Sequence, residues 1–315
     1  MIELSHVSKR YQGKYAVRDI SFKTEEGEIL GFLGRNGAGK TTTMNMITGY
    51  ISASEGTITV DGYDVLKNPL EVKQRIGYLP EQPPLYGEMT VDEYIRFVCD
   101  IKGVRRDVRK PHVEEIYSLV KLEDVSGRLI KNLSKGYKQR VGLAEALVGN
   151  PPVIILDEPT VGLDPMQIVE IRQLIKSLGR KHTVILSSHI LSEVADVCQK
   201  LVIIRQGEIV AQDTLENLTQ KVSDVNRLQL RIKGDKDAVR RKILALPGCK
   251  EVEELGQQEP GSCDFMAYTD LDQDIREPLF RAMADMNAPI LTMRSMNLTL
   301  EDIFMQLTQE EGGSL

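Results

Sequence analysis

The stretch GFLGRNGAGKTTTMNMITGY at residues 31–50 places four glycines and a lysine within a dozen positions. Residues 34–41 match the pattern GxxxxGK[ST], between an apolar run at 28–33 and a helix-like segment at 40–50. A strand, a glycine-rich turn and a helix in this order turn backbone N–H groups inward at the positive end of a helix dipole. The stretch therefore predicts a phosphate-binding loop on an α/β fold.

Side chains at the end of this loop predict more specific contacts. We expect Lys40 to bring a positive charge to the β- and γ-phosphates of a nucleotide, Thr41 to offer its hydroxyl to Mg²⁺, and Thr42 to donate to the α-phosphate. The other loop positions expected to contact the phosphates are Gly34, Arg35, Asn36, Gly37, Ala38 and Gly39. A glycine-rich turn with a surface lysine is the alternative, but it leaves the matching strand and helix on either side unexplained.

A second apolar run ends in acidic residues, in the segment VIILDEPTVGLD at 153–164. Ligands of open α/β sheets bind at the carboxyl ends of the strands, where this run delivers Asp157 and Glu158. We expect Asp157 to hold Mg²⁺ through its water shell and Glu158 to polarise a water for attack on the γ-phosphorus. His189 follows another apolar run at 183–188, and we expect its imidazole to form a hydrogen bond with the γ-phosphate. The alternatives are an acidic turn without chemistry and a structural histidine.

Through about the first 210 residues, short apolar runs alternate with amphipathic segments. The segment 165–181, with apolar residues at helical spacing, lies between the runs 153–157 and 183–188. This order predicts a mostly parallel sheet that is covered on both faces. Residues 2–29 and 56–65 are instead alternating and turn-punctuated, which indicates an antiparallel β subdomain.

The pattern changes after residue 215 and predicts a small α+β domain of the split-βαβ, ferredoxin-like type. We therefore predict a nucleotide-binding domain at 1–218 and an accessory domain at 219–315. Predicted strands in the second domain cover 227–232, 250–255, 264–269 and 289–295, and predicted helices cover 235–246, 274–286 and 299–308.

Composition excludes several classes of protein. No window approaches the 18 consecutive apolar residues of a membrane-spanning helix, and the first residues lack a secretory signal. The formal net charge is −6, and residues 215–315 carry the whole excess with 12 basic and 18 acidic side chains, so nucleic acid is a poor partner. Four cysteines without metal-ligand spacing predict reduced thiols in a cytosolic protein: Cys99, Cys198, Cys249 and Cys263.

These motifs resemble the ATP-binding subunits of ABC transporters over nearly all of residues 1–215. The segment NLSKGYKQRVGLAEAL at 132–147 looks like the LSGGQ signature of that family and the helix after it. The resemblance implies a P-loop ABC ATPase domain with a parallel core, an antiparallel β subdomain and a helical subdomain. It also implies that Ser134 and Gly136 complete the nucleotide site of an opposite subunit, although Ser134 alone is equally a helix cap.

Three further positions match the family, one of them with a departure. Tyr11 matches the aromatic residue that stacks on adenine, with Tyr15 as the alternative. Asp164 matches the loop that crosses between the two subunits, and it also suits a helix N-cap before Pro165. The sequence has Glu81 where the family has its lid glutamine and Gln82 one place later, so either residue is a candidate metal contact.

Three departures together resemble an exporter-type branch of separate ATPase chains: Lys135 for glycine and Tyr137 for glutamine in the signature, and Glu81 at the lid position. The ending MNLTLEDIFMQLT resembles the same branch. The resemblance implies ATP and Mg²⁺ as cofactors, a homodimer or heterodimer of nucleotide-binding domains, and an integral membrane permease as partner. The chain would then lie in the cytoplasm on the inner face of the cell membrane. The alternative is a soluble ABC ATPase that acts on ribosomes or DNA. For residues 220–315, a regulatory, dimer-supporting or inert role remains open.

Overall fold

The computed structural model describes residues 1–222, 226–270 and 272–296, with backbone alone for 219–222. Its contacts divide the chain into two compact units, Met1–Leu215 and Glu216–Leu315. The predicted helix at 299–308 lies outside the described residues. The division into folding domains at 218/219 stays a prediction.

Within the described residues, the first unit consists of ten strands and seven α-helices, and one further helix follows at the boundary. Its strands are β1 (Ile2–Tyr11), β2 (Lys14–Thr24), β3 (Ile29–Leu33), β4 (Glu55–Val60), β5 (Tyr63–Asp64), β6 (Ile76–Leu79), β7 (Val153–Asp157), β8 (Thr183–Ser188), β9 (Lys200–Arg205) and β10 (Glu208–Thr214). Its helices are α1 (Lys40–Ile47), α2 (Pro69–Arg75), α3 (Val91–Ile101), α4 (Arg106–Val120), α5 (Lys135–Leu147), α6 (Pro165–Leu178) and α7 (Leu191–Ala195), and α8 (Leu215–Val222) follows at the boundary.

A six-stranded sheet in the order β10-β9-β3-β8-β7-β6 forms the centre of this unit. Its strands are parallel except for β10, which pairs antiparallel with β9. Every residue of β3, β7 and β8 is buried, because side chains of alternating direction enter two different cores. Ile154 and Leu156 belong to one core, and Val153 and Ile155 belong to the other. The predicted parallel sheet covered on both faces is confirmed.

The remaining parts of the first unit cover the two faces of the central sheet. An antiparallel sheet in the order β2-β1-β4-β5 shares one core with α1 and forms the predicted β subdomain. Helices α3, α4 and α5 share the other core with α6 and form the predicted helical subdomain. At the start of α3, Thr90 and Glu93 form a reciprocal capping box. The P-loop ABC ATPase fold is therefore confirmed.

One predicted boundary needs correction. The sequence predicts a helix over 40–50, but α1 ends at Ile47 with Thr48 as its C-cap. The reason is local, because Gly49 has a φ of 69°, which a continuing helix does not accept.

The second unit has the βαββαβ order. Its elements are β11 (Asn226–Lys233), α9 (Lys236–Leu244), β12 (Cys249–Gly256), β13 (Ser262–Thr269), α10 (Arg276–Asp285) and β14 (Ile290–Met296). The strands form one antiparallel sheet in the order β12-β13-β11-β14, which is the arrangement expected of a split-βαβ fold. Leu230, Phe265 and Leu279 are completely buried in its core.

Two further findings concern membrane-spanning helices and the cysteines. Within the described ranges, none of the helices combines the length and apolar character that a bilayer crossing requires. All four cysteines are free thiols. Cys249 pairs with Thr269 and Cys263 with Ile232, so these two cysteines lie at different ends of neighbouring strands.

Candidate nucleotide site

The glycine-rich loop joins β3 to α1 at the carboxyl edge of the central sheet. Gly39 has a φ of 109°, and a side chain there would meet the carbonyl oxygen of Ala16 at 2.8 Å, so only glycine suits this position. Among the described residues, the backbone N–H groups of Asn36, Gly37 and Gly39 have no hydrogen-bond partner. Unpaired N–H groups ahead of a helix are a suitable site for phosphate oxygens.

Lys40 curls back over this loop and meets two of the other predicted residues. Its ammonium donates to the carbonyl oxygen of Gly34 at 2.8 Å and forms an ion pair with Glu158 Oε1 at 3.1 Å. His189 Nδ1 lies 2.8 Å from the other carboxylate oxygen, Glu158 Oε2. The three predicted catalytic residues therefore form one cluster, in which Lys40 and Glu158 are buried and His189 is partly exposed.

The backbone of Glu158 is itself unusual. Its φ of 50° lies in the left-handed region, which non-glycine residues rarely adopt and which tends to occur at functional sites. Two hydrogen bonds to Ser187 hold it there, from the Glu158 N–H to the carbonyl oxygen at 3.2 Å and to the hydroxyl at 3.0 Å. The parallel pairing of Asp157 with Ser187 sets this contact between β7 and β8.

Asp157 is completely buried, and one of its carboxylate oxygens lacks a partner. Oδ1 accepts a hydrogen bond from the Ser187 hydroxyl, whereas Oδ2 has no hydrogen-bond partner. Burial raises the pKa of this carboxyl above its ordinary value, and the hydroxyls of Ser187 and Thr41 and the charge of Lys40 work against that increase. A buried acceptor without a partner costs free energy, so an external cation would be a favourable partner for Oδ2.

The four predicted metal contacts line one cavity of about 660 Å³, and they are Thr41, Glu81, Gln82 and Asp157. Hydroxyl, carboxylate and amide oxygens are the hard ligands that Mg²⁺ prefers. Among the described residues, no three His, Cys, Asp or Glu side chains converge on a metal position. Mg²⁺ usually binds through one or two carboxylates together with water and phosphate oxygens. Glu81 and Gln82 are both exposed, so both remain candidates.

The aromatic candidates lie on the β1–β2 hairpin, beside the phosphate loop. Gly39 approaches Ala16 and Val17 of this hairpin. Tyr11 is 47% exposed, whereas Tyr15 has the guanidinium groups of two arginines near its ring. The Lys9 ammonium lies 5.2 Å from the centroid of the Tyr11 ring, so both rings have a cation nearby, and Tyr11 is the more exposed of the two.

Ser134, Gly136 and Asp164 lie at two neighbouring helix starts. Ser134 accepts a hydrogen bond from the Tyr137 N–H at 3.4 Å as N-cap of α5, and Asp164 accepts from the Gln167 N–H at 3.0 Å as N-cap of α6. A side chain at Gly136 would meet that of Gln167, so the two helix starts pack together. Both capping residues are exposed, and neither takes part in the cluster of Lys40, Glu158 and His189.

Sequence reasoning missed Ser187, Thr160 and Glu193, which lie behind the site. Ser187 contacts both Asp157 and Glu158, and Glu193 accepts a hydrogen bond from Thr160 at 2.6 Å. Ser187 could have been noticed, because a polar pair ends the apolar run before His189. Glu193 gave no such signal, because a glutamate in a helical segment is usually exposed.

Comparisons with known proteins agree with this geometry. A family model described as ABC transporter matches residues 17–161. The ABC transporter ATP-binding protein NatA of Bacillus subtilis (strain 168) is 40% identical over 234 residues, which cover 72% of this chain and 95% of NatA. The linearmycin resistance ATP-binding protein LnrL of the same organism is 35% identical over 98% of both chains.

A solved structure extends the likeness to the fold. The ATP-binding cassette MJ0796, in a dimeric post-hydrolysis state with ADP and Pi, is 26% identical and matches with a TM-score of 0.64 over 68% of this chain and 99% of that one. An ATPase that uses ATP with Mg²⁺ accounts for the phosphate loop, the buried carboxylates and these likenesses together. The chain belongs to the family of ABC transporter ATP-binding proteins.

Proposed function

We propose that this chain is the ATP-hydrolysing subunit of an exporter-type ABC transporter. In this proposal, two nucleotide-binding domains close head-to-tail around two Mg·ATP and drive a separate membrane permease. The observation that carries the proposal is the contact of Glu158 with both Lys40 and His189, beside the unpartnered oxygen of Asp157. A buried lysine and a strained glutamate, next to free backbone N–H groups, have the properties that phosphoryl transfer requires.

The cluster suggests how nucleotide binding prepares the site. The structure pairs the charge of Lys40 with that of Glu158. The β- and γ-phosphates would offer Lys40 a more strongly charged partner, which would leave the carboxylate of Glu158 available to orient a water. His189 would keep that carboxylate in place through the contact with Oε2 and would sense the γ-phosphate through its other ring nitrogen. In this order of events, Lys40, Glu158 and His189 each have a catalytic role.

The remaining residues would bind the nucleotide and its metal. Backbone N–H groups of residues 34–42 would hold the phosphates, and Tyr11 would stack on adenine. Thr41, Asp157 and either Glu81 or Gln82 would hold Mg²⁺. When bound, the metal neutralises negative charge that develops on the phosphate oxygens. The free oxygen of Asp157 and the position of all four side chains on one cavity support this assignment.

Dimerisation is proposed from the exposed helix starts. Ser134 and Asp164 leave a polar, N–H-rich surface at the first turns of α5 and α6, and a second copy or a related chain would bring such a surface to the γ-phosphate. The similarity to a cassette structure that is dimeric supports this arrangement. In the same proposal, the dimer lies on the inner face of the cell membrane.

Export is proposed from the relative that matches both units of the chain. The linearmycin resistance protein LnrL aligns over 98% of this sequence, including the residues after 215. Resistance to a toxic compound is commonly achieved by moving that compound out of the cell. We therefore infer an outward direction of transport, with the substrate chosen by the permease.

Substitution of Glu158 by glutamine tests the catalytic part of the proposal. The amide keeps the shape of the side chain but cannot accept a proton from water, so Glu158→Gln should bind ATP and accumulate as a dimer with turnover reduced by about 10²-fold or more. Filter binding of labelled ATP and light scattering after size-exclusion chromatography measure the two quantities. Glu88→Gln, at an exposed surface ion pair with Lys131, is the matched control and should keep the wild-type rate.

Unchanged turnover in Glu158→Gln would remove Glu158 from its proposed role. The transporter part is tested separately by isolating the tagged chain from cells. We expect it to co-purify with a hydrophobic membrane subunit. Co-purification with ribosomes instead would favour the alternative class of ABC ATPase.

A further inference from the structure

We propose that Glu193 is a positioning residue that holds the Glu158 loop and the His189 loop in register beneath the nucleotide site. This inference rests on the proposed roles of Glu158 and His189. Glu193 lies in α7, with only 3% of its surface exposed. That burial separates it from the nucleotide, so any effect on hydrolysis must pass through other residues.

The carboxylate of Glu193 adds a second link between two chain segments that the β7–β8 pairing and the hydrogen bonds from the Glu158 N–H to Ser187 already join. Its Oε2 accepts a hydrogen bond from the Thr160 hydroxyl at 2.6 Å and another from the Ser188 hydroxyl at 3.2 Å. Thr160 comes two residues after Glu158, and Ser188 comes directly before His189. Thr160 is 5% exposed and Ser188 is completely buried, so water does not readily replace Glu193 as their partner. The carbonyl oxygen of Ile190, at 3.4 Å, is a second and more distant acceptor for the Ser188 hydroxyl.

These hydrogen bonds close a ring of contacts. From Glu158 the chain leads to Thr160, across to Glu193 and Ser188, on to His189, and back to Glu158 through the 2.8 Å contact. The distance between Glu158 and His189 is therefore restricted twice, by their direct contact and by the path through Glu193. Hydrogen bonds to a charged acceptor are stronger than those between neutral groups, so one buried carboxylate can hold both hydroxyls.

Glu158 and His189 follow the ends of β7 and β8, and this location explains why contacts through Glu193 are needed. Glu158 has a left-handed backbone conformation that is not favoured locally, with a φ of 50°. His189 begins a short loop before α7 and has no secondary structure of its own. Ser187 holds the backbone N–H of Glu158, but both Glu158 and His189 lie outside the strands, so the relative position of their side chains also depends on contacts made behind them.

Thr160→Val is the most direct test, because valine has the shape of threonine and removes only the hydroxyl. A misplaced catalytic group can cost up to about 100-fold in rate, so we expect kcat of Thr160→Val and Glu193→Ala to fall between about tenfold and 100-fold. The KM for ATP should stay within about threefold of wild type, since the phosphate loop is not altered. Thr160→Ser, which restores a hydroxyl, should recover most of the rate.

The matched control removes a buried hydroxyl at the opposite end of β8. Thr183 is 1% exposed, and its hydroxyl accepts a hydrogen bond from the Gly27 N–H at 3.0 Å. Thr183→Val should lower the melting temperature without lowering kcat. A merely structural role for Thr160 would give the same result as this control, so equal kcat values in the two valine variants would overturn the proposal.

A double-mutant cycle identifies the path of the effect. If Glu193 acts by placing His189 against Glu158, Glu193→Ala should change kcat by less than about twofold in a His189→Ala background. A full additive loss in that background would contradict the proposal. Glu158→Gln distinguishes the catalytic role of Glu158 from the positioning role of Glu193. Normal turnover in that variant refutes the catalytic role, whereas an inactive Glu158→Gln with a fully active Thr160→Val refutes only the role of Glu193.

Discussion

Replacement of Asp157 by asparagine should stabilise the nucleotide-free protein while removing its response to Mg·ATP. In the wild type, Asp157 is completely buried and Oδ2 has no hydrogen-bond partner. A buried polar group without a partner costs about 1–3 kcal/mol, and more when it is charged. Asparagine keeps an acceptor for the Ser187 hydroxyl and places an NH2 group at the position of Oδ2, so the gain comes from removal of the buried charge alone. Allowing for nearby Lys40, we expect a gain of about 1 kcal/mol in the free energy of unfolding.

The pH dependence of this difference follows from the raised pKa of Asp157. A carboxyl whose pKa is higher in the folded than in the unfolded state makes a favourable contribution to stability below its unfolded pKa, and this contribution is lost as the pH rises through the folded pKa. The ordinary value is 3.8, and burial raises the pKa of Asp157 above it. The stability difference between Asp157→Asn and wild type should therefore be small near pH 4 and reach its full size above the folded pKa of Asp157.

Thermal unfolding with and without a nonhydrolysable ATP analogue and Mg²⁺ measures both effects. For a unit of this size, 1 kcal/mol shifts the melting temperature by about 2–4 °C. Mg·nucleotide at about 100 times its Kd should stabilise the wild type by roughly 2.7 kcal/mol and the variant much less, which reverses their order. EDTA should restore the original order. If Asp157→Asn is less stable than wild type at pH 8 without nucleotide, the argument from the unpartnered oxygen is wrong.

Two further predictions concern the adenine contact and the second unit. Tyr11→Ala should weaken ATP binding about tenfold, because an aromatic ring stacked on a base contributes roughly 1–3 kcal/mol. Tyr15→Ala should have a smaller effect, because two arginines lie over its ring, whereas the more exposed Tyr11 ring has Lys9 alone nearby. The reverse order in equilibrium binding would assign the adenine to Tyr15. A chain ending at residue 218 should bind ATP within about threefold of the full-length Kd, because every site residue lies before Leu215 and distant changes act independently. A folded fragment that fails to bind ATP would refute the predicted domain division.

Sequence patterns predicted the central strands well because their signals are local. The structure places β7 at Val153–Asp157 and β8 at Thr183–Ser188, which are the predicted ranges, since continuous apolar runs mark strands buried on both faces. The same patterns placed Asp157, Glu158 and His189 at one edge of a sheet. They did not predict the contact between Glu158 and His189, because that distance depends on the register of Asp157 opposite Ser187.

What the sequence could not predict is how the polar groups behind the site are paired. Two aspartates illustrate this, because Asp157 and Asp264 are both buried at strand positions. Asp264 meets the guanidinium of Arg231 through both oxygens, at 2.7 and 3.1 Å, because the two residues lie opposite each other on β13 and β11. Asp157 has no such cation for its second oxygen. Similar burial therefore has different consequences: a carboxylate that is paired internally supports the fold, whereas one left with a free oxygen is better suited to bind a cation from outside.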